Sequence, residues 1–362
     1  MKKHSKQQNK NKMDLQGLTV GLDVGDRYSH YCVLDADGAV IQRQRVRTTA
    51  QGLTQGLAWL PPSRVGLESG THSGWISRLL EELGHQAVVG NAREIDRIHR
   101  SHRKNDRADA EILARLTRFD PKLMSPVRHR SAEAQADLSV LRARDALVRA
   151  RTLLINSARG LVKTMGYRFP SGSAETFPRR VGEHVPPPGR AALGGVLGQI
   201  EQLSQSIAGY DHGLKHLAQT KYPETQLLQQ VPGVGPVTSL AFLLTLGDKH
   251  RFGKSREVGP YLGLVPRQDA SGQRSPQLPI TKAGDQYLRR LLVGSAHYIL
   301  GPFGPDSNLR RHGLELATRG GNNAKKRAVV AVARKLAILL HRLWVTGKVY
   351  DPLYPSQQST AA

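Results

Sequence analysis

The run Leu18-Thr-Val-Gly-Leu-Asp23-Val24 reads as a buried strand with a carboxylate inside it. An ionised carboxylate there is costly unless it is paired or holds a metal. The strand must therefore deliver Asp23 to a polar cleft or use it to cap a turn. Gly25 follows, then a second candidate strand at 29–35, the hairpin signal Asp37-Gly38 and an alternating third strand at 39–48. Next come a helix near 51–60, the short buried strand Arg64-Val-Gly-Leu-Glu68, a helix near 74–83, a strand at 86–89 and helical sequence from about 105 to 118. A three-stranded antiparallel opening followed by alternating strands and helices predicts an α/β domain with a mixed sheet.

The middle of the chain changes character. Ser131 to Met165 contains no proline and one glycine, and Val140, Leu147, Leu154 and Leu161 recur every seven residues. Gly166 and Pro170 end that helix. Residues 166–190 are rich in Pro and Gly and read as a linker or loop. A second helix carries Leu193, Val196, Ile200, Leu203, Ile207, Tyr210, Leu214 and Leu217 in alternating steps of three and four, a coiled-coil seam. The two helices could pair within one chain or between subunits. A third region begins near Gln229, with long helices at about 285–300 and 322–345 ending at Gly347.

Charge narrows the partners. The 362 residues hold 53 Lys+Arg against 29 Asp+Glu, a formal +24, which makes nucleic acid the default partner. A generically basic ribosomal or membrane-surface protein shares that charge. Cys32 is the only cysteine, which excludes a disulfide framework and a multi-cysteine zinc site and fits a reducing compartment. No apolar run approaches the roughly 18–20 residues of a membrane span. The basic, polar first residues do not resemble a secretory signal. The expected location is the cytoplasm, with nucleoid association.

Three further carboxylates join Asp23. Glu68 closes a short strand; a parallel strand beside the first would bring the two together, at the kind of strand end where open α/β sheets place their sites. Asp106 and Asp109 stand three apart at a helix start and share a face. Each also has a plainer reading: a turn or helix cap, or a favourable helix-dipole charge. The dipole does not explain the flanking Arg97, Arg100, Arg103, Lys104 and Arg107, which suit a phosphate substrate. Together the four carboxylates make a site for two Mg²⁺ ions. Further along, Pro232-Gly233-Val-Gly235-Pro resembles a helix-hairpin-helix turn whose backbone N–H groups bind phosphate; its alternative is a plain αα-corner. Ser271-Gly272 lies in a polar loop at 267–277, and Lys282, Arg289 and Arg290 follow as phosphate-binding candidates.

These motifs, in this order, resemble the DEDD insertion-sequence transposases (the IS110 family) and their Piv-like invertase relatives. The resemblance rests on Gly21-Leu-Asp23-Val, Leu67-Glu68, Lys104-Asn-Asp106-Arg-Ala-Asp109-Ala, Val231-Pro-Gly-Val-Gly-Pro, Tyr261-Leu-Gly-Leu-Val-Pro-Arg267, Ser271-Gly272, Thr281-Lys-Ala-Gly-Asp285 and Leu288-Arg-Arg-Leu. It implies a ribonuclease-H-like, RuvC-like N-terminal domain, a helical middle that mediates assembly and a mostly helical C-terminal transposase domain. It implies that Asp23, Glu68, Asp106 and Asp109 bind Mg²⁺ and that Ser271 attacks the scissile phosphate, giving a 5′-phosphoserine that conserves bond energy. Because that serine lies far along the chain, the implied site is composite. A structured RNA encoded by the element would guide donor and target DNA. Asn105 and Thr281 depart from the family pattern, where Thr and Ser are expected; Ser275 and Thr281 stay open as nucleophiles.

The resulting expectation has five parts: a basic arm at 1–16, a RuvC-like domain at 17–125, a coiled-coil region at 126–225 with its linker at 166–190, a transposase domain at 226–348 and a tail at 349–362. Phosphate, DNA and RNA contacts are assigned to Arg103, Lys104, Arg107, Gly233, Gly235, Arg267, Lys282, Arg289 and Arg290. A homodimer or tetramer is expected, with the 193–217 seam as a contact. Three alternatives are a RuvC-like nuclease or junction resolvase using water, an actin-like nucleotide-binding protein and a non-catalytic RNA-binding scaffold. The actin-like reading lacks a second half with Gly-rich phosphate loops and fits +24 poorly; the scaffold leaves four carboxylates without a task.

Overall fold

The Asp23-bearing segment forms β1 (Thr19–Val24), the central strand of a five-stranded sheet. Its neighbours are β2 (Tyr28–Leu34), β3 (Val40–Arg47), β4 (Arg64–Glu68) and β5 (Gln86–Gly90), in the order β3-β2-β1-β4-β5. The first three strands are antiparallel, and β4 and β5 run parallel to β1. This is a computed structural model, which describes residues 17–98, 106–269, 278–321 and 323–353. At the β2–β3 turn the Asp35 carboxylate accepts from the N–H groups of Asp37 and Ala39, each at 2.9 Å. Gly38 there takes φ 83°, a left-handed conformation open to glycine at little cost.

The chain divides into two compact units, residues 1–132 and 133–362. In the first, the strands' alternation sorts residues to two faces. Val20, Leu22, Val65 and Leu67 pack with Leu53 and Leu57 of α1 (Ala50–Leu57) and with Ile76 and Leu80 of α2 (Ser73–Glu82). The other face lies under α4 (Asp106–Phe119), which follows the short α3 (Ala92–Ile98). Glycines let α4 settle onto bare backbone: a Cβ on Gly21 would collide with the Ala110 carbonyl and the Ala114 backbone, and one on Gly66 with the Thr117 side chain. The C-terminal end of α4 is anchored by Arg118, which donates to the carbonyls of Gly17 and Ala36. Its N-terminal end therefore lies towards the opposite rim of the sheet, where β1 and β4 finish.

The second unit is helical. α5 (Ala132–Thr164) and α7 (Arg190–Thr220) form an antiparallel hairpin. Asp137 accepts from both Lys221 and Tyr222 at 2.6 Å, Arg144 pairs with Asp211, and Arg151 donates to Ser204. The Pro/Gly-rich connection contains α6 (Phe177–Val181), whose Phe177 and Val181 are buried against Ile155, Ala158, Val162 and Leu193. Along the expected α7 seam, Leu193, Ile200, Ile207 and Leu214 are buried, whereas Val196, Leu203, Tyr210 and Leu217 are half-buried. On α5 the buried residues are Leu138, Leu141, Ile155, Ala158 and Val162, with Asp145 and Arg151 among them. The heptad column Val140, Leu147, Leu154 and Leu161 stands beside this face; Val140 is 37% exposed and Leu161 39%. Strict sevens drift around a straight helix by about 20° per heptad, so such a column need not follow the face that its neighbours bury.

The chain continues through α8 (Glu224–Gln229), α9 (Pro236–Leu246), α10 (Val258–Tyr261), α11 (Gln286–Leu300), α12 (Asn308–Thr318) and α13 (Ala324–Thr346). One core joins Leu240–Leu244 of α9, Leu288, Leu292 and Ala296 of α11 and Val332, Leu336 and Leu340 of α13. Leu138 and Leu141 of α5 and Leu214 of α7 belong to it too, so the helical hairpin is rooted in the C-terminal bundle. α9 is apolar all round and correspondingly buried. Among the described residues, no helix is long and apolar enough to cross a membrane.

Candidate metal centre

The sheet and α4 converge on one group of side chains. On β1, Gly21 faces α4, so Asp23, two residues on, shares that face. On β4, Gly66 faces α4, and Glu68 follows by the same rule. The β1–β4 ladder pairs Leu22 with Leu67, which sets Asp23 and Glu68 next in line at the ends of two parallel strands. On β2, Cys32 and Leu34 pack against Ala110 and Ala114, which brings His30 to the same face; His30 is also the direct cross-strand partner of Asp23. α4 completes the set. Its buried stripe of Ala110, Leu113, Ala114 and Thr117 extends back by one turn to Asp106 and Asp109, beyond the apolar part of the sheet. An aliphatic interface thus ends in a rim of carboxylates.

Asp23, His30 and Asp106 each offer a ligand atom, and these atoms lie within 4.8 Å of one another. His30 Nδ1 is 3.6 Å from Asp106 Oδ2. Asp23 and His30 are half-buried and Asp106 is exposed. Among the described residues this is the one group of three such side chains; Glu68 and Asp109 lie outside it. Asp23 and Glu68 do line a common cleft of about 320 Å³ with Asp26, Ser69, Gly70 and His72. His72 Nδ1 accepts from Trp75 Nε1 at 3.1 Å, which directs Nε2 towards Asp26 Oδ1, 3.6 Å away. Neither histidine is prominent in the sequence, because each stands alone; only strand register and the β4–α2 turn bring them to the carboxylates. Behind the site, hydrogen bonds from Arg43 and Arg115 hold Glu111 of α4 below the usual carboxylate range, while burial pushes the Cys32 thiol up.

The basic candidates have varied settings. Arg107 is exposed beside Asp106, while Arg103 and Lys104 lie outside the described residues. In the second unit, Gly233 takes φ 83° and packs on α11, where a Cβ would come within 2.9 Å of Tyr298. Gly235 is the N-cap of α9. Residues 261–269 and 278–284 form two segments joined by an antiparallel bridge at Pro266–Ile280, with Arg267 N–H donating to the Pro279 carbonyl. Lys282 is exposed at φ 55°, and Thr281 is half-buried. Arg289 donates to the carbonyls of Leu262 and Gly284 at 3.0 and 3.4 Å and to that of Ala283, tying both segments to α11. Arg290 pairs with the buried Asp145 of α5. Ser271 and Ser275 lie outside the described residues.

Residues 20–166 match a family model for DEDD transposases of the IS110 type, and residues 225–307 match one described as the transposase IS116/IS110/IS902 family. Both matches define the same class, transposases, and the four carboxylates fall within the first of them. The chain belongs to the IS110 family of DEDD transposases. It is 32% identical to the transposase for insertion sequence element IS1328 of Yersinia enterocolitica, over 76% of this chain and 82% of that protein. It is 29% identical to the transposase for insertion sequence element IS1111A of Coxiella burnetii, over 91% of this chain and 90% of that one. A probable family 20 transposase of Pseudomonas aeruginosa is also 29% identical, over 92% and 98% of the two chains.

Proposed function

We propose that this protein is a transposase that cuts and rejoins DNA at the ends of an insertion sequence, using a Mg²⁺ site built from Asp23, Glu68, Asp106 and Asp109 and a serine nucleophile, Ser271. The convergence of Asp23, His30 and Asp106 at the end of β1 carries this reading. The sheet order, with an antiparallel β1–β2–β3 and parallel β4 and β5, supports a ribonuclease-H-like, RuvC-like assignment. The donor set fits a divalent cation: carboxylate oxygens from two strands and a helix, reached through an open cleft. Divalent metal held there by these carboxylates would supply activation of an attacking oxygen and stabilisation of a leaving one.

The protein's own groups do the rest. Arg107 and its basic neighbours Arg103 and Lys104 draw the phosphodiester towards the acidic rim. Gly233, Gly235, Arg267 and Lys282 contact the backbone of the nucleic acid. Arg289 and Arg290 contribute positive charge from α11 while holding it to neighbouring segments. Ser271 Oγ attacks the phosphorus, forming a phosphoserine and releasing the 3′-hydroxyl of the cut strand. Attack by a new 3′-hydroxyl returns the serine and seals the exchanged strand, with the bond energy kept throughout. A structured RNA guides the choice of DNA, and the working form is a homodimer or tetramer. The half-exposed column from Val140 to Leu161 supports assembly through the helical hairpin.

The test is a suicide substrate nicked near the cleavage site. The wild-type protein is expected to become covalently joined to DNA, and Ser271→Ala to form no adduct. Asp23→Asn should bind DNA at wild-type affinity and cut at least 1,000-fold more slowly, the order expected for losing a principal electrostatic group. Cutting by Ser271→Ala at the normal rate would point instead to the hydrolytic, resolvase-like alternative.

A further inference from the structure

We propose that His30 is a ligand of the metal held by Asp23 and Asp106, so that the site has a mixed nitrogen–oxygen donor set and ranks Mn²⁺ above Mg²⁺. The inference rests on the metal-binding reading of the acidic site and adds a donor that the four-carboxylate pattern does not contain. The register carries it first. His30 lies directly opposite Asp23, and directly opposed residues place their side chains on one face within a few ångströms. The packing carries it second. Cys32 and Leu34, on the same face of β2, are buried under α4, so His30 is the polar end of an otherwise apolar stripe. It meets the polar end of α4's stripe at Asp106.

The plainer reading makes His30 a tether for Asp106. The geometry does not favour it. At 3.6 Å the contact is too long for a hydrogen bond, and the Asp106 side chain is 70% exposed, a setting in which an ion pair contributes little. Among the described residues the imidazole makes no side-chain hydrogen bond that would fix its ring for a structural purpose. A ring nitrogen with no such partner, near two carboxylates that are themselves ligand candidates, is placed to share their cation. The choice of metal follows from the donors. Mg²⁺ takes hard oxygens and surrenders its waters reluctantly, whereas imidazole nitrogen suits first-row transition ions.

The experiment uses the full-length protein and Mn²⁺ as the probe. Mn²⁺ binding is titrated by the loss of the free-ion EPR signal, with Mg²⁺ as competitor, and pulsed EPR reads nitrogen coupled to the bound ion. The expected result is nitrogen modulation in the wild-type protein that disappears in His30→Gln. Mn²⁺ affinity should fall about tenfold in that variant and Mg²⁺ affinity less than threefold, with circular dichroism unchanged. Asp23→Asn and His72→Gln complete the set. Asp23-dependent Mn²⁺ binding without nitrogen modulation would overturn the His30 proposal and leave the acidic metal site standing. So would modulation that survives His30→Gln and vanishes in His72→Gln. Mn²⁺ binding indifferent to Asp23→Asn would remove the metal site itself, and the proposal with it.

Discussion

At Gly21 the backbone of α4 passes so near β1 that a methyl group has no room: a Cβ would overlap the Ala110 carbonyl and the Ala114 amide. That contact sets how far Asp106, one turn before Ala110, stands from Asp23. Gly21→Ala is therefore expected to destabilise the first unit by about 1–3 kcal/mol, the usual range for overpacking, because the obstructing atoms are backbone and cannot rotate away. Gly160→Ala provides the opposite case. It is helical, with open space around its Cβ position, and should stabilise α5 by roughly 0.5–1 kcal/mol. Urea denaturation of the two variants reads both signs, and equal stability for Gly21→Ala would mean that α4 does not lie on β1 as described. Asp23 was visible in the sequence as a charge in an apolar strand. His30 was not, because its significance lies in a cross-strand neighbour that only the register supplies.

The elements of the second unit carry their own tests. His341 of α13 is 1% exposed, with Nε2 set to donate to the Lys249 carbonyl and Nδ1 left to accept from the Ser255 hydroxyl. Burial holds its pKa down against the opposing pull of the Lys249 carbonyl, and burial lowers His312 likewise, as it does His85 in the first unit. A histidine with a depressed folded pKa contributes stability that is fully present above its unfolded value, about 6.5, and is lost as pH falls through the folded value. Stability should thus decline on acidification from pH 7.5 to 5, with a limiting slope of about 1.4 kcal/mol per pH unit for each such histidine. His341→Gln should have a shallower slope in denaturation midpoints measured across that range. The hairpin predicts differently for its two stripes. Leu161→Glu, on the half-exposed column of α5, should lower the assembly mass seen by light scattering and leave helicity intact. Ile200→Glu, on the buried column of α7, should melt the hairpin. α12 leaves no periodic signal in the sequence, because its buried stripe amounts to Leu309 and Gly313.

On the scale of the whole molecule the dominant property is the formal charge of +24. Neutralising phosphates with Lys and Arg releases condensed counterions, so affinity should fall steeply with salt. For contacts to six or more phosphates, the dissociation constant for DNA should rise about a thousandfold between 50 and 200 mM salt. Fluorescence anisotropy over that range gives the slope directly. A flat response would show that the basic surface is not the main docking face. Not every arginine adds to that excess. Arg142, Arg144, Arg151 and Arg290 are all engaged with carboxylates inside the second unit, so docking must draw mainly on other cations.

The order and kind of most elements are written in the chain, because buried strands and long amphipathic helices leave their period there: β1 with its aspartate, the Asp37-Gly38 turn and the long helices α5 and α7 are all legible. The motif order likewise sufficed to suggest the family. Which side chains share a face is settled by packing. Asp23, His30 and Asp106 are separated by 6 and 75 further residues, and what joins them is strand register and a helix seated on two glycines. The structure alone also showed that the α5 heptad column lies beside the buried face. Periodicity records the spacing of apolar residues along one helix; which column is covered depends on the neighbours it meets.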